Sequence, residues 1–156
     1  MIYLAGVRKA IKKELEQGRL GTPVFARLVM VVSSDHGHLL PVCAMASEMI
    51  EEFLGQSIQT IFARGSIESG SISVQLHLGA IQTGQAIVTL KRGVLPGVDL
   101  LLVGDRGTLR HDLSEAILAG ETHDDLWRVG TDSIKPGLVG AVEESLKIGR
   151  PVRVRG

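Results

Sequence analysis

Residues 70–78, GSISVQLHL, decide the fold of this chain. Ile72, Val74, Leu76 and Leu78 fall on one side, and Ser71, Ser73, Gln75 and His77 on the other. A period of two is that of a strand with one face in a core and the other in water. Working outward, 57–65 precedes it across a short Ser/Gly-containing turn, and a third strand spans 84–92. Pro96-Gly97 marks a further turn into a strand over 98–104. Asp105-Arg106, between Gly104 and Gly107, predicts a tight hairpin into 108–113. No helical pattern separates these strands. A doubly wound parallel sheet needs a helix between successive strands, so the order predicts a mainly antiparallel sheet.

Upstream, Val7, Ala10, Ile11 and Leu15 recur at helical spacing over 5–17, with Lys9, Lys12, Lys13 and Glu16 on the wet face. Gly18 stops that helix, and Gly21-Thr22-Pro23 turns the chain into 24–33, a run apolar on both faces as a central strand would be. A polar loop, 34–38, leads to a helix from Leu40 to Leu54, with Pro41 in its first turn and Gly55 at its end. Downstream, 135–148 reads as a helix with Leu138, Val139, Val142, Leu146 and Ile148 inward, stopped by Gly149. The stretch 119–133 is polar and mixed and takes no element. The expected architecture is α+β: one domain over 1–156, an open, mainly antiparallel (mixed) sheet with three helices on one face.

Composition narrows the function. At 156 residues and 44% hydrophobic, the chain builds a sizeable core. Seventeen basic residues balance seventeen acidic ones, so no net field draws it to nucleic acid or to a membrane surface. Three Phe, one Trp and one Tyr are too few for a base-stacking platform. No apolar run approaches the roughly 20 residues that cross a bilayer. Arg8, Lys9, Lys12 and Lys13 are not followed by the apolar core and cleavage site of a signal peptide. Cys43 is the only cysteine, which excludes a disulfide within the chain and suits a cytoplasmic protein.

Gly65 to Gly70 and Gly79 to Gly84 have the glycine spacing of phosphate loops. Both lack the following Lys-Ser/Thr and both join strand to strand, so both read as hairpin turns. Asp35, His36 and His38 cluster between a strand and a helix. A metal centre wants three or four such ligands with supporting hydrogen bonds, whereas His77, His111 and His123 are scattered, so no metal site is assigned. Cys43, with no histidine at a recognisable spacing, reads as a buried thiol, and Met45 and Met49 as core filler. Trp127, alone in a polar stretch, reads as a local packing anchor.

Surface counting predicts self-association. Three helices of about 13 residues, each about 20 Å long, cover one face of a five- or six-stranded sheet and leave the other bare. Leu28 to Val32, Ala86 to Val88 and Leu100 to Val103 are all apolar, so part of this surface points away from the helices. A homodimer, or a dimer of dimers, packed sheet to sheet is expected.

Residues 37–55, GHLLPVCAMASEMIEEFLG, resemble the substrate-site helix of the Gfo/Idh/MocA oxidoreductases, named after glucose–fructose oxidoreductase and inositol dehydrogenase. Leu39, Leu40, Ile50, Phe53, Leu54 and Gly55 match that helix's apolar frame. Three more motifs are similar to the family's C-terminal domain: Gly18, Leu20, Gly21, Pro23 and Val24 before the first strand, Gly104 to Leu109 in the hairpin, and Gly149-Arg150-Pro151 after the last helix. Where the family has Asp, this chain has Pro41; where it has the catalytic His, this chain has Met45; Glu48 stands where a second Asp is frequent. The resemblance implies a substrate-binding and oligomerisation domain, with no catalytic residue of its own and with substrate contacts from Asp35, His36, His38 and Glu48. It implies a parent that acts on a sugar, polyol or related polar molecule with NAD or NADP. The cofactor would sit in a dinucleotide-binding domain elsewhere in the parent chain, since no G-x-G-x-x-G opens a helix here. The other expectation is a non-catalytic dimerisation or regulatory domain.

Overall fold

The computed structural model describes residues 2–33, 38–94, 97–112 and 134–155. Their elements run α1 (Ile2–Glu16), β1 (Pro23–Ser33), α2 (Leu39–Leu54), β2 (Ile58–Ser66), β3 (Ser71–Leu78), β4 (Gln82–Lys91), β5 (Gly97–Gly104), β6 (Thr108–Asp112), α3 (Pro136–Ile148) and β7 (Val152–Arg153). The stretch around Trp127 lies outside the described residues.

The strands form one seven-stranded sheet in the order β6-β5-β1-β4-β3-β2-β7. β2, β3 and β4 make the expected meander, and β5 and β6 the expected hairpin. The single parallel contact is β1 with β4, where Leu28 lies opposite Ala86 and Met30 opposite Val88. On its other side β1 runs antiparallel to β5. The sheet is therefore mixed and mainly antiparallel, in an α+β fold with three helices among the described residues. β1 is an interior strand, third of the seven, as expected of a strand that is apolar on both faces. From β1 the chain crosses over the sheet as α2 and enters β2 three strand positions away, leaving a gap of two strands. The meander then fills the gap by folding back.

Burial follows the two-residue period. On β3, Ile72, Val74, Leu76 and Leu78 are buried, and their alternates are half-buried or exposed. Ala26, Leu28, Met30 and Val32 of β1, Ala86 and Val88 of β4, and Leu100 and Leu102 of β5 join the same core. α2 lies across β1, β4 and β3, α3 lies over β2 and β7, and α1 packs beside α2. Of the 16 residues of α2, 11 are buried, so it is enclosed on all but one narrow strip. It rides close to β4: a Cβ at Gly84 would meet Ile50 Cγ2 at 2.5 Å.

Two of the sequence motifs pack onto each other. The Gly104–Leu109 hairpin sits on the turn that opens β1, although the two are far apart in sequence. Thr22 N–H donates to Asp105 Oδ1 at 2.8 Å, Asp105 N–H to Thr22 O at 3.1 Å, and Arg106 N–H to Leu20 O at 3.0 Å. Gly21, at φ +70°, leaves room for this: a Cβ there would lie 1.8 Å from Asp105 Oδ1. The third motif is fastened by Ser145, whose Oγ accepts from Ala63 N–H and donates to the Arg150 carbonyl, both at 2.9 Å. These motifs hold the sheet's edges and ends.

One inward assignment is corrected. Ile148 is 41% exposed. The helical period turns it toward the sheet, but α3's last turn lies at β7, the edge strand, and no further strand covers it. Among the described residues no helix is long and apolar enough to cross a membrane.

Candidate functional site

α2 carries the residues with chemistry, and they fall at its two ends. At the N-terminal end, His38 is the exposed N-cap, in extended conformation (φ −100°, ψ 132°), and its carbonyl accepts Val42 N–H at 3.3 Å. Its imidazole makes no cap. Pro41, in the first turn, lacks an N–H that would have had no intrahelical acceptor, so the helix tolerates it. Pro41 and Met45 are one turn apart on one face; Pro41 is half-buried and Met45 is 5% exposed, in the core. Neither side chain can give or take a proton. Cys43 is fully buried and burial pushes its thiol up to about 12, so it is no nucleophile near neutral pH. Asp35 and His36 lie outside the described residues.

The C-terminal end is a charged pocket. Glu48, Glu51 and Glu52 recur at the i, i+3, i+4 spacing that puts them on one strip of an otherwise buried helix. Three carboxylates near a helix C-terminus oppose the macrodipole, and no basic residue lies in the last turn to offset them. Compensation comes from other elements. Glu51 Oε2 accepts Ile58 N–H at 2.8 Å, and Glu51 Oε1 pairs with Lys135 at the N-terminus of α3. Glu52 pairs with Arg8 at 3.3 Å and Lys12 at 2.8 Å, both from α1. Arg8 Nε meets the distance of an ion pair but makes no hydrogen bond. Together Arg8, Glu48, Glu51, Glu52, Gln56 and Lys135 line an open cavity of about 570 Å³. The Glu51–Lys135 pair also borders a neighbouring cavity of about 800 Å³, between the start of β2, the first turn of α3 and residues 153–155.

Glu48 differs from its neighbours: it is half-buried, lines the first cavity and forms no ion pair or hydrogen bond among the described residues. It is a free acceptor for a hydroxyl or amine. The structure does not bring His38 and Glu48 together, since ten helical residues separate them by about 15 Å. Among the described residues no group of three or more His, Cys, Asp or Glu is arranged to hold a metal ion. Reading by motif passed over Arg8, Glu51, Glu52 and Lys135. The carboxylate spacing on an apolar helix was the available signal; that α1 and α3 deliver the cations was not visible.

The fold is that of the C-terminal part of Gfo/Idh/MocA-type dehydrogenases. Scyllo-inositol dehydrogenase from Lactobacillus casei, solved with NAD(H) and scyllo-inositol, superposes with a TM-score of 0.70 at 12% identity, over 94% of this chain and 61% of that one. Myo-inositol 2-dehydrogenase from Lactobacillus plantarum gives 0.69 at 15% identity, over 95% and 61%. A probable dehydrogenase from Thermotoga maritima gives 0.68 at 16% identity, over 94% and 61%. The chain thus spans about three-fifths of the length of these three structures. No family model matches the sequence. No curated protein matches it either.

Proposed function

We propose that this chain is the substrate-binding and self-associating domain of an NAD(P)-dependent oxidoreductase that acts in the cytoplasm on a sugar, polyol or related polar molecule. On this reading it is inactive without a dinucleotide-binding domain. The observation that carries the reading is the superposition over nearly all of this chain and only about three-fifths of each dehydrogenase. Among the described residues neither glycine-spaced turn makes a dinucleotide cradle. Gly65 to Gly70 and Gly79 to Gly84 join antiparallel strands, so no helix N-terminus stands behind either turn. NAD or NADP would be held by the other domain. In this chain the substrate would lie at one end of α2 or the other, about 15 Å apart: beside Asp35, His36 and His38, or with a hydroxyl on Glu48. With Pro41 and Met45 in place, the domain's share of the reaction is binding and orientation, and a proton donor must come from elsewhere.

Titration calorimetry with NAD+, NADH, NADP+ and NADPH tests the assignment. The chain alone should bind none of them, and a micromolar Kd would place the cofactor site within it. The parent polypeptide should bind one and oxidise at least one member of a panel of inositols and hexoses. A parent that does neither would overturn the enzymatic reading. The alternative, a non-catalytic dimerisation or regulatory domain, is favoured by one observation: Met45, at the position of the family's histidine, is buried in the core.

A further inference from the structure

The charges that line the first cavity do not cancel. Two cations, Arg8 and Lys135, face three carboxylates, Glu48, Glu51 and Glu52. Both oxygens of Glu51 are engaged, one by Lys135 and the other by Ile58 N–H. Arg8 is held at Glu52, 3.3 Å away, and not at Glu48. Lys12, the second cation on Glu52, has its side chain 57% exposed and borders a different cavity, on α1. The negative charge left over inside is that of Glu48, half-buried and without an ion pair or hydrogen bond among the described residues. Water solvates it while the cavity is open. A ligand that fills the cavity strips that water, and the carboxylate then needs a partner from the ligand. A hydroxyl supplies one neutral donor. An ammonium supplies three N–H donors and the opposite charge, and a hydrogen bond to an ionised group is roughly twice as strong as a neutral one.

We infer that the substrate lies at the Glu48 end of α2 and carries a cationic amine: an amino sugar or amino polyol whose ammonium pairs with Glu48. This rests on the polar-substrate reading proposed above and adds the substrate's charge and its place. The rest of the lining suits a ring that bears hydroxyls. Gln56 and Ser57 are exposed, and their side chains make no hydrogen bond among the described residues, so they offer both donors and acceptors. At about 570 Å³ the cavity has the size of a small-molecule site.

Titration calorimetry of the whole chain with glucosamine, glucose and N-acetylglucosamine tests this. The three share a ring and differ at one carbon, which bears an ammonium, a hydroxyl or a neutral amide. Glucosamine should bind about tenfold more tightly than either of the others. The preference should disappear in Glu48→Gln, which keeps the shape and removes the charge. It should fade in the wild type as pH rises through the titration of the sugar amine. Glu143→Gln, exposed on α3, is the control and should keep it. Circular dichroism checks folding, and the wild-type pH profile carries the test should Glu48→Gln fail to fold. Equal affinities for the three sugars, binding of none of them, or a preference that survives Glu48→Gln would overturn the inference. A chain that prefers glucosamine, in a parent that oxidises no sugar, would overturn the oxidoreductase reading and leave the amine site standing. A parent that oxidises neutral hexoses or inositols and no amino sugar would overturn the amine alone.

Discussion

Ser47 and Ser145 are both fully buried, and the structure predicts opposite consequences for removing their hydroxyls. Ser145 replaces a strand. β7 pairs with β2 only at Thr60 and Ile61, so Ala63 N–H, further along β2, has no ladder partner on that side and donates to Ser145 Oγ instead. Ser145→Ala orphans that buried N–H, at about 1–3 kcal/mol. It also frees the Arg150 carbonyl, which water can partly satisfy, at about 0.5–1 kcal/mol. The sum is about 1.5–4 kcal/mol, or a fall of roughly 3–16 °C in Tm for a chain of this size. Ser47 Oγ donates at 2.8 Å to the Cys43 carbonyl, which is also the acceptor for Ser47's own backbone N–H in the helix ladder. Ser47→Ala therefore orphans nothing and gains helix propensity, and it should stay within about 0.5 kcal/mol of wild type. Urea unfolding of both variants at one protein concentration, so that any association is held constant, measures the difference. If Ser145→Ala costs no more than Ser47→Ala, then Ala63 N–H finds another acceptor and the view of Ser145 as a ladder substitute is wrong.

Burial raises the Cys43 thiol from 9.0 to about 12, and a raised folded pKa contributes stability that is present below pH 9.0 and lost as pH climbs toward 12. Unfolding free energy should thus fall across that window relative to Cys43→Ala, and equal slopes for the two proteins would refute it. Gly84→Ala drives a methyl toward Ile50 Cγ2 and should cost about 1–3 kcal/mol by chemical denaturation. Gly140→Ala, in α3 with nothing within 4 Å of the new Cβ, should instead stabilise by about 0.5–1 kcal/mol. Leu101→Lys, on the outward face of β5, should yield folded monomers by light scattering, while an unchanged oligomer would show that association uses another surface.

The alternation of Ile72 to Leu78 determined by itself which side of β3 meets the core, because a strand's side chains have only two directions to take. The hairpins were equally legible, since Gly70, Gly79 and Asp105-Arg106 act over four residues or fewer. Local signals did not place β1 between β5 and β4: a strand apolar on both faces announces that it is central, not which neighbours it will have. Nor did the sequence show that Gly21 and Asp105 form one clasp, or that Ser145 completes the hydrogen bonding of β2. Both depend on contacts across about 80 residues. The site divides the same way. Pro41 and Met45 could be read directly as unable to move a proton. That Glu48 stands unpaired while Glu51 and Glu52 are neutralised was decided by where α1 and α3 come to rest against α2, and Coulomb pairing at that range is a property of the packed fold.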